Sequence, residues 1–278
     1  MFVKHTESEI TMKYYDQVRN RLVFIQRQAT PEFWDELWEK EYFRELIVAG
    51  KNDRFILNTT KRYLQAGKIL EGGCGRGAKV YALHHHGYDA YGVDFATATI
   101  KKINSSIPDL KVFPANVMHL PFRSTCFDGY WSLGVIEHFY GGYGTIADEM
   151  KRVLKPGGIL FLTFPYMSPL RRLKSKAGYY PLWNSSIGAE SFYQFALDKD
   201  KVIKEFEMRG FHLLESIPYD GIKGFKDEVQ IVSTPFQCLY DYSGKNAIIR
   251  IIRYALDSIL RLFAGHIILL VLKKNTDL

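Results

Sequence analysis

The segment Lys68-Ile69-Leu70-Glu71-Gly72-Gly73-Cys74-Gly75-Arg76-Gly77 constrains this chain more than any other. It begins as a short apolar run of strand type and ends against a helix-forming stretch with Ala78, Val80, Ala82 and Leu83. Between the two, Gly73, Gly75 and Gly77 let the backbone turn tightly and let a ligand approach with no side chain in the way. A helix that starts near Gly77 presents N–H groups and a positive dipole end, which suit an anionic group. Glu71, at the strand's carboxyl end, sets a negative charge beside that positive one. A ligand bearing both a carboxylate and an ammonium would satisfy both.

From Lys68 onward, short apolar runs alternate with amphipathic ones. Strands are expected at 68–72, 90–94, 111–115, 129–133, 159–164, 211–217 and 266–272. Helical spacing lies between them, as in Ala96, Ile100 and Ile103 or Ile146, Met150 and Val153. Further helices are expected at 198–209 and, after a linker, at 246–263. This alternation predicts an α/β fold, a seven-stranded and mostly parallel sheet with helices on both faces. Residues 1–66 read as a helical N-terminal extension. Thr30-Pro31 is a helix start, and Trp34, Trp38, Tyr42 and Leu46 then recur every four residues. That stripe either packs on the sheet or closes over a ligand as a lid or substrate cap. The remaining domain, 67–278, is interrupted at about 165–195 by prolines, aromatics and the basic run Arg171, Arg172, Lys174 and Lys176. This insertion belongs at the mouth of the sheet, and its basic run is either a solvated face or a partner for a ligand's anionic group.

Composition narrows the function classes. Among 278 residues, 47% hydrophobic and 24% charged is a globular balance and excludes a disordered chain. The net charge of +7 is spread too thinly to identify a nucleic-acid partner, and no separate basic domain accompanies it. Cys74, Cys126 and Cys238 are odd in number and far apart, which excludes a disulfide framework and a zinc ribbon. The first residues carry no apolar run of signal-peptide length, and the apolar stretch 267–272 is too short to span a bilayer, so a cytoplasmic location is expected. Arg250, Arg253 and Arg261 stand beside long apolar residues in the last helix, which either packs inward or touches a membrane surface. His84-His85-His86 points three ways from a helix and does not form a metal site.

A second acid, Asp94, ends the next strand, where Rossmann-like sheets hydrogen-bond ribose hydroxyls. The third strand ends in Ala115-Asn116-Val117-Met118-His119-Leu120-Pro121-Phe122, an amide and backbone groups beside an apolar wall, suited to adenine. The fourth supplies Phe127-Asp128-Gly129-Tyr130-Trp131-Ser132-Leu133-Gly134-Val135-Ile136-Glu137-His138, in which Glu137 reads as a capping or surface carboxylate. With Arg152-Val153-Leu154-Lys155-Pro156-Gly157-Gly158, this ordered set resembles the class I S-adenosylmethionine-dependent methyltransferases, and within them the small-molecule branch that includes the ubiquinone and menaquinone methyltransferases. The resemblance covers Leu64 to Phe164 by motif and the last strands by layout.

The resemblance implies the Rossmann-like class I methyltransferase fold, with S-adenosylmethionine as cofactor and S-adenosylhomocysteine as product. It also implies roles. Glu71 with Gly73, Gly75 and Gly77 would hold the methionine part, and Asp94 the ribose, with Phe95 beside the adenine. Asn116 and Val117 would read the adenine edge, Asn116 standing where this branch often has Asp. Leu133 would contact the methionine end through its backbone. His138 and Tyr140, on the loop after the fourth strand, are the candidates for a base if the acceptor is a hydroxyl. No metal is implied. Two other classes fit parts of the pattern. Gly73-x-Gly75-x-x-Ala78 with Asp94 also suits an NAD(P)-dependent oxidoreductase, but Glu71 would then repel a pyrophosphate. A non-catalytic cofactor-binding protein of the same fold would keep these residues too. Aromatic residues concentrate at 33–43, 166–195 and 236–242, outside the motif core. They point to a small-molecule acceptor with an apolar or aromatic body and an acidic group.

Overall fold

The computed structural model describes residues 12–38, 43–184 and 189–276. Two short strands, β1 (Met12–Asp16) and β2 (Arg21–Ile25), pair antiparallel and are followed by α1 (Pro31–Trp38), α2 (Phe43–Ala49) and α3 (Arg54–Tyr63). The strand–helix alternation then runs through β3 (Lys68–Gly72), α4 (Ala78–His85), β4 (Asp89–Asp94), α5 (Thr97–Ser106) and β5 (Lys111–Pro114). It continues with β6 (Phe127–Leu133), α6 (Gly144–Val153), β7 (Leu154–Pro165), α7 (Pro169–Lys176) and β8 (Phe192–Ala196). The last part comprises α8 (Lys199–Met208), β9 (Phe211–Tyr219), α9 (Gly221–Glu228), α10 (Ser233–Asp241), α11 (Ala247–Ala264) and β10 (Ile267–Lys274).

Seven strands form one sheet in the order β5-β4-β3-β6-β7-β10-β9. Neighbours from β5 to β7 are parallel, while β10 runs antiparallel between β7 and β9. The sheet is buried on both faces, and side chains alternate between two cores with the period of a strand. Leu160, Leu162 and Phe164 join the core under α6 and α8, whereas Ile159 and Phe161 join the core under α2 to α5. Trp131 stacks on Phe161 with ring centroids 4.3 Å apart, and its indole N–H donates to Thr60 Oγ1 at 2.9 Å.

The N-terminal extension is helical only from Pro31 on. Residues 12–25 form a hairpin instead, because its aromatic and β-branched residues bury Leu22, Val23 and Phe24 completely or nearly so. The hairpin gains a third strand, β8, from the insertion. Tyr42, expected in the helical stripe, lies outside the described residues. The expected linker before α11 contains two helices, α9 and α10. Gly224 of α9 hides the helical pattern for a packing reason: a Cβ there would collide with the Ala264 backbone of α11.

Within the basic run of the insertion Lys176 is solvated, whereas the other three cations are paired. Arg171 is 1% exposed; its Nε donates to Glu228 at 3.1 Å and its Nη1 to the Tyr166 and His266 carbonyls. Arg172 pairs with Asp198 and Asp200, and Lys174 with Glu228. These charges tie α7 to its neighbours rather than waiting for a ligand.

Candidate active site

Because β3 to β6 are parallel, Glu71, Asp94, Asn116 and His138 all come to the same carboxyl edge of the sheet. At the end of β3 the chain turns through Gly73 with φ of +77°, and a Cβ there would stand 2.5 Å from Val135. The amides of Gly73 and Cys74 donate to the Val93 carbonyl at 2.8 and 2.9 Å, and Gly75 donates to Asp94 Oδ2 at 2.8 Å. The loop is therefore pinned to β4. Gly77 is the N-cap of α4, in the left-handed conformation, and supplies no capping side chain.

Glu71 is 3% exposed, and its Oε2 has no hydrogen-bond partner among the described residues. Burial pushes its carboxyl up to about 8 against the opposing attraction of Lys79. It lines a cavity of about 160 Å³ with Phe55, Cys74, Arg76, Lys79 and Leu133. Lys79 forms an ion pair with Asp53, the N-cap of α3. Arg76 lies over the Trp38 ring, 5.3 Å from its centroid.

A second cavity, of about 180 Å³, adjoins the first; Gly73, Leu133 and Trp38 line both. Asp94, Phe95, Asn116, Val117 and His138 line the second. Asp94 is buried, which raises its carboxyl, while hydrogen bonds from the Ala96 and Gly75 amides oppose that rise. Asn116 Oδ1 accepts from the Met118 amide at 2.9 Å, so the side chain turns its NH₂ outward as a donor. His138 Nδ1 lies 2.8 Å from the Tyr193 carbonyl, and its ring is edge-on to Trp34 and Tyr193. A proton on Nδ1, donated to that carbonyl, leaves the lone pair on Nε2.

Of the residues expected at the site, Glu71, Gly73, Gly75, Asp94, Phe95, Asn116, Val117, Leu133 and His138 line these two cavities, and Gly77 starts the helix beside them. Tyr140 does not line them. The single-turn helix at Ile136–His138 redirects the chain, and Tyr140 packs on Phe192 and Phe195 of β8. Glu137 is neither a cap nor on the surface: it is 2% exposed, and burial raises it to about 8. His84, His85 and His86 end α4 at the exposed surface, where His85 stacks on Tyr81.

Trp34 and Trp38 of α1 roof the cleft and stack on one another at 5.7 Å. The α1 helix is anchored by Asp35, whose carboxylate accepts from the Ala98 and Thr99 amides and the Thr99 hydroxyl at the start of α5. The four-residue spacing exposed the tryptophans, but no signal in the sequence pairs Asp35 with Thr99.

Residues 70–162, about a third of the chain, match a family described as Methyltransferase domain. An uncharacterized protein of Methanocaldococcus jannaschii is 28% identical over 194 residues, covering 66% of this chain and 76% of that protein. The solved structure of a SAM-dependent methyltransferase from Archaeoglobus fulgidus superposes with a TM-score of 0.53 at 16% identity, over 83% of this chain and 94% of that one. The cyclase SpnF superposes with a TM-score of 0.51 at 15% identity, over 81% of each chain. These two structures share the fold. The segment that matches the family, residues 70–162, carries the glycine loop, Asp94 and Asn116 at the carboxyl edge of the seven-stranded sheet.

Proposed function

We propose that the chain binds S-adenosylmethionine across the two joined cavities and methylates a small-molecule acceptor with an apolar or aromatic body. The observation that carries this reading is the division of labour along one cleft. A buried carboxylate oxygen and an uncapped helix N-terminus lie at one end, and Asp94, Phe95, Asn116 and Val117 at the other. The first pair complements the ammonium and carboxylate of an amino acid; the second set complements a ribose and a flat base. A pyrophosphate in the same place would meet the Glu71 carboxylate, which argues against a dinucleotide. The fold by itself does not choose a chemistry, as the likeness to a cyclase illustrates.

When bound, the cofactor supplies an electrophilic methyl group on a sulfonium. The chain's part is chiefly alignment, a proximity effect worth up to about 7–11 kcal/mol. Trp34 and Trp38 exclude water, and their rings suit a cation nearby. For a hydroxyl acceptor, His138 takes the proton at Nε2 while the Tyr193 carbonyl holds Nδ1–H. Phe55 lies in the wall of the Glu71 cavity and also in that of a larger one, about 790 Å³, with Tyr219, Tyr240, Tyr254, Arg250 and Arg253. That aromatic space, in which Asp220 and Asp257 balance the two guanidinium groups, supports an acceptor with an apolar or aromatic body.

Calorimetric titration with S-adenosylhomocysteine tests the reading. Saturable binding is expected, weakened at least about tenfold by Asp94→Ala, since charged hydrogen bonds contribute about 1.5–3 kcal/mol each. Absence of binding by both S-adenosylmethionine and its product would overturn the proposal, as would a specific fluorescence response to NADH.

A further inference from the structure

Helix α11 is amphipathic with its apolar stripe turned to solvent. Ile248, Ile251, Ile252, Ile259, Leu262 and Phe263 are between 43% and 69% exposed and fall on one side of the helix at its 3.6-residue period. The polar side faces the protein. There Asp257 accepts from the Ile222 amide at 3.0 Å, and Arg253 donates to the Tyr242 carbonyl at 2.9 Å. Only Ala264, at the contact with α9, is fully buried. An 18-residue helix is about 27 Å long, so the stripe is a continuous apolar surface rather than scattered side chains.

We infer that this stripe is a docking surface for an anionic lipid bilayer, with α11 lying in the plane of the interface. Charge selects this occupant over a second copy of the chain. Asp257 is the only acid in the helix, and it is turned inward and bonded, whereas Lys245 is exposed just before the N-terminal end. Lipid phosphates complement this cation and the net charge of +7; a second copy would bring like charges together. No described helix is long and apolar enough to cross a membrane, which leaves the interfacial orientation. Ile251 also belongs to the wall of the large aromatic cavity, so a bilayer seated on the stripe lies against that cavity.

Co-sedimentation of the full chain with phosphatidylcholine vesicles, with and without phosphatidylglycerol, tests the inference. The chain should pellet with the mixed vesicles, and added salt should weaken the binding. The double variant Ile252→Glu with Ile259→Glu changes two exposed positions. It should keep the thermal midpoint while its partition coefficient falls by at least about tenfold. Lys245→Glu should reduce binding to the mixed vesicles alone. The inference is overturned if the full chain stays in the supernatant or if the double variant pellets equally well. It is also overturned if light scattering finds a dimer that the double variant converts to monomer, since a second copy then covers the stripe.

Discussion

Glu71 is a buried acid whose second oxygen has no hydrogen-bond partner among the described residues, and burial holds its carboxyl at about 8. An acid raised in the folded state contributes stability that is complete below its ordinary value near 4.5 and is lost as pH climbs through 8. An ammonium brought to the Glu71 cavity has the opposite preference and favours the ionised form. Ligand binding near neutral pH should therefore expel a proton from Glu71. Titrations with S-adenosylhomocysteine at pH 7 in two buffers of different ionisation enthalpy should show that release, and Glu71→Gln should abolish it while weakening affinity at least about tenfold. An enthalpy independent of buffer would mean that the carboxyl is already ionised before binding. Glu71, Asp94 and Asn116 could be found in the sequence because each ends a strand, and strand ends converge in a parallel sheet. That Tyr140 lies outside the two cavities was not legible, because two residues of separation from His138 give no sense of direction once the chain has passed through a single helical turn.

At the scale of elements, the roof over the cleft depends on how α1 is held. Asp35 caps α5 from another helix, satisfying two amides at the positive end of its dipole. Such a cap is worth about 0.5–2 kcal/mol. If α1 closes over the ligand, Asp35→Ala should raise the dissociation rate of S-adenosylhomocysteine several-fold, with the thermal midpoint falling by no more than about a few degrees. A stopped-flow rate equal to that of the unmodified chain would reduce α1 to ordinary packing. The sequence pattern revealed the helix and its aromatic face, along with all seven strands of the main sheet. It did not reveal the β1–β2–β8 sheet, in which β8 joins the hairpin from more than 150 residues further along the chain, a pairing that no local period records. Nor did it reveal α9, where close approach to α11 requires glycine in a helix interior.

Over the whole molecule, Glu228 joins segments that lie far apart in the chain. It accepts from Lys13 of β1 at 2.9 Å, from Arg171 and Lys174 of α7 at 3.1 Å, and from the Tyr180 hydroxyl at 2.5 Å. Desolvation alone would raise this carboxyl, but Arg171 and Lys13 hold it down to about 2. A depressed acid contributes stability that is complete above about 4.5 and is lost as pH falls toward 2, the reverse of Glu71 and Glu137. From these three groups, the ligand-free protein should be most stable near pH 4.5, with one limb falling toward pH 2 and another toward pH 8. Glu228→Gln leaves Arg171 and Lys13 facing each other without a counter-charge, at a cost of about 3–5 kcal/mol. Thermal unfolding should therefore show a large loss at pH 7 that shrinks as pH approaches 2, where the unmodified carboxyl is itself protonated. A deficit that stays constant across that range would assign the loss to side-chain packing and remove Glu228 as the electrostatic tie between hairpin, insertion and α9.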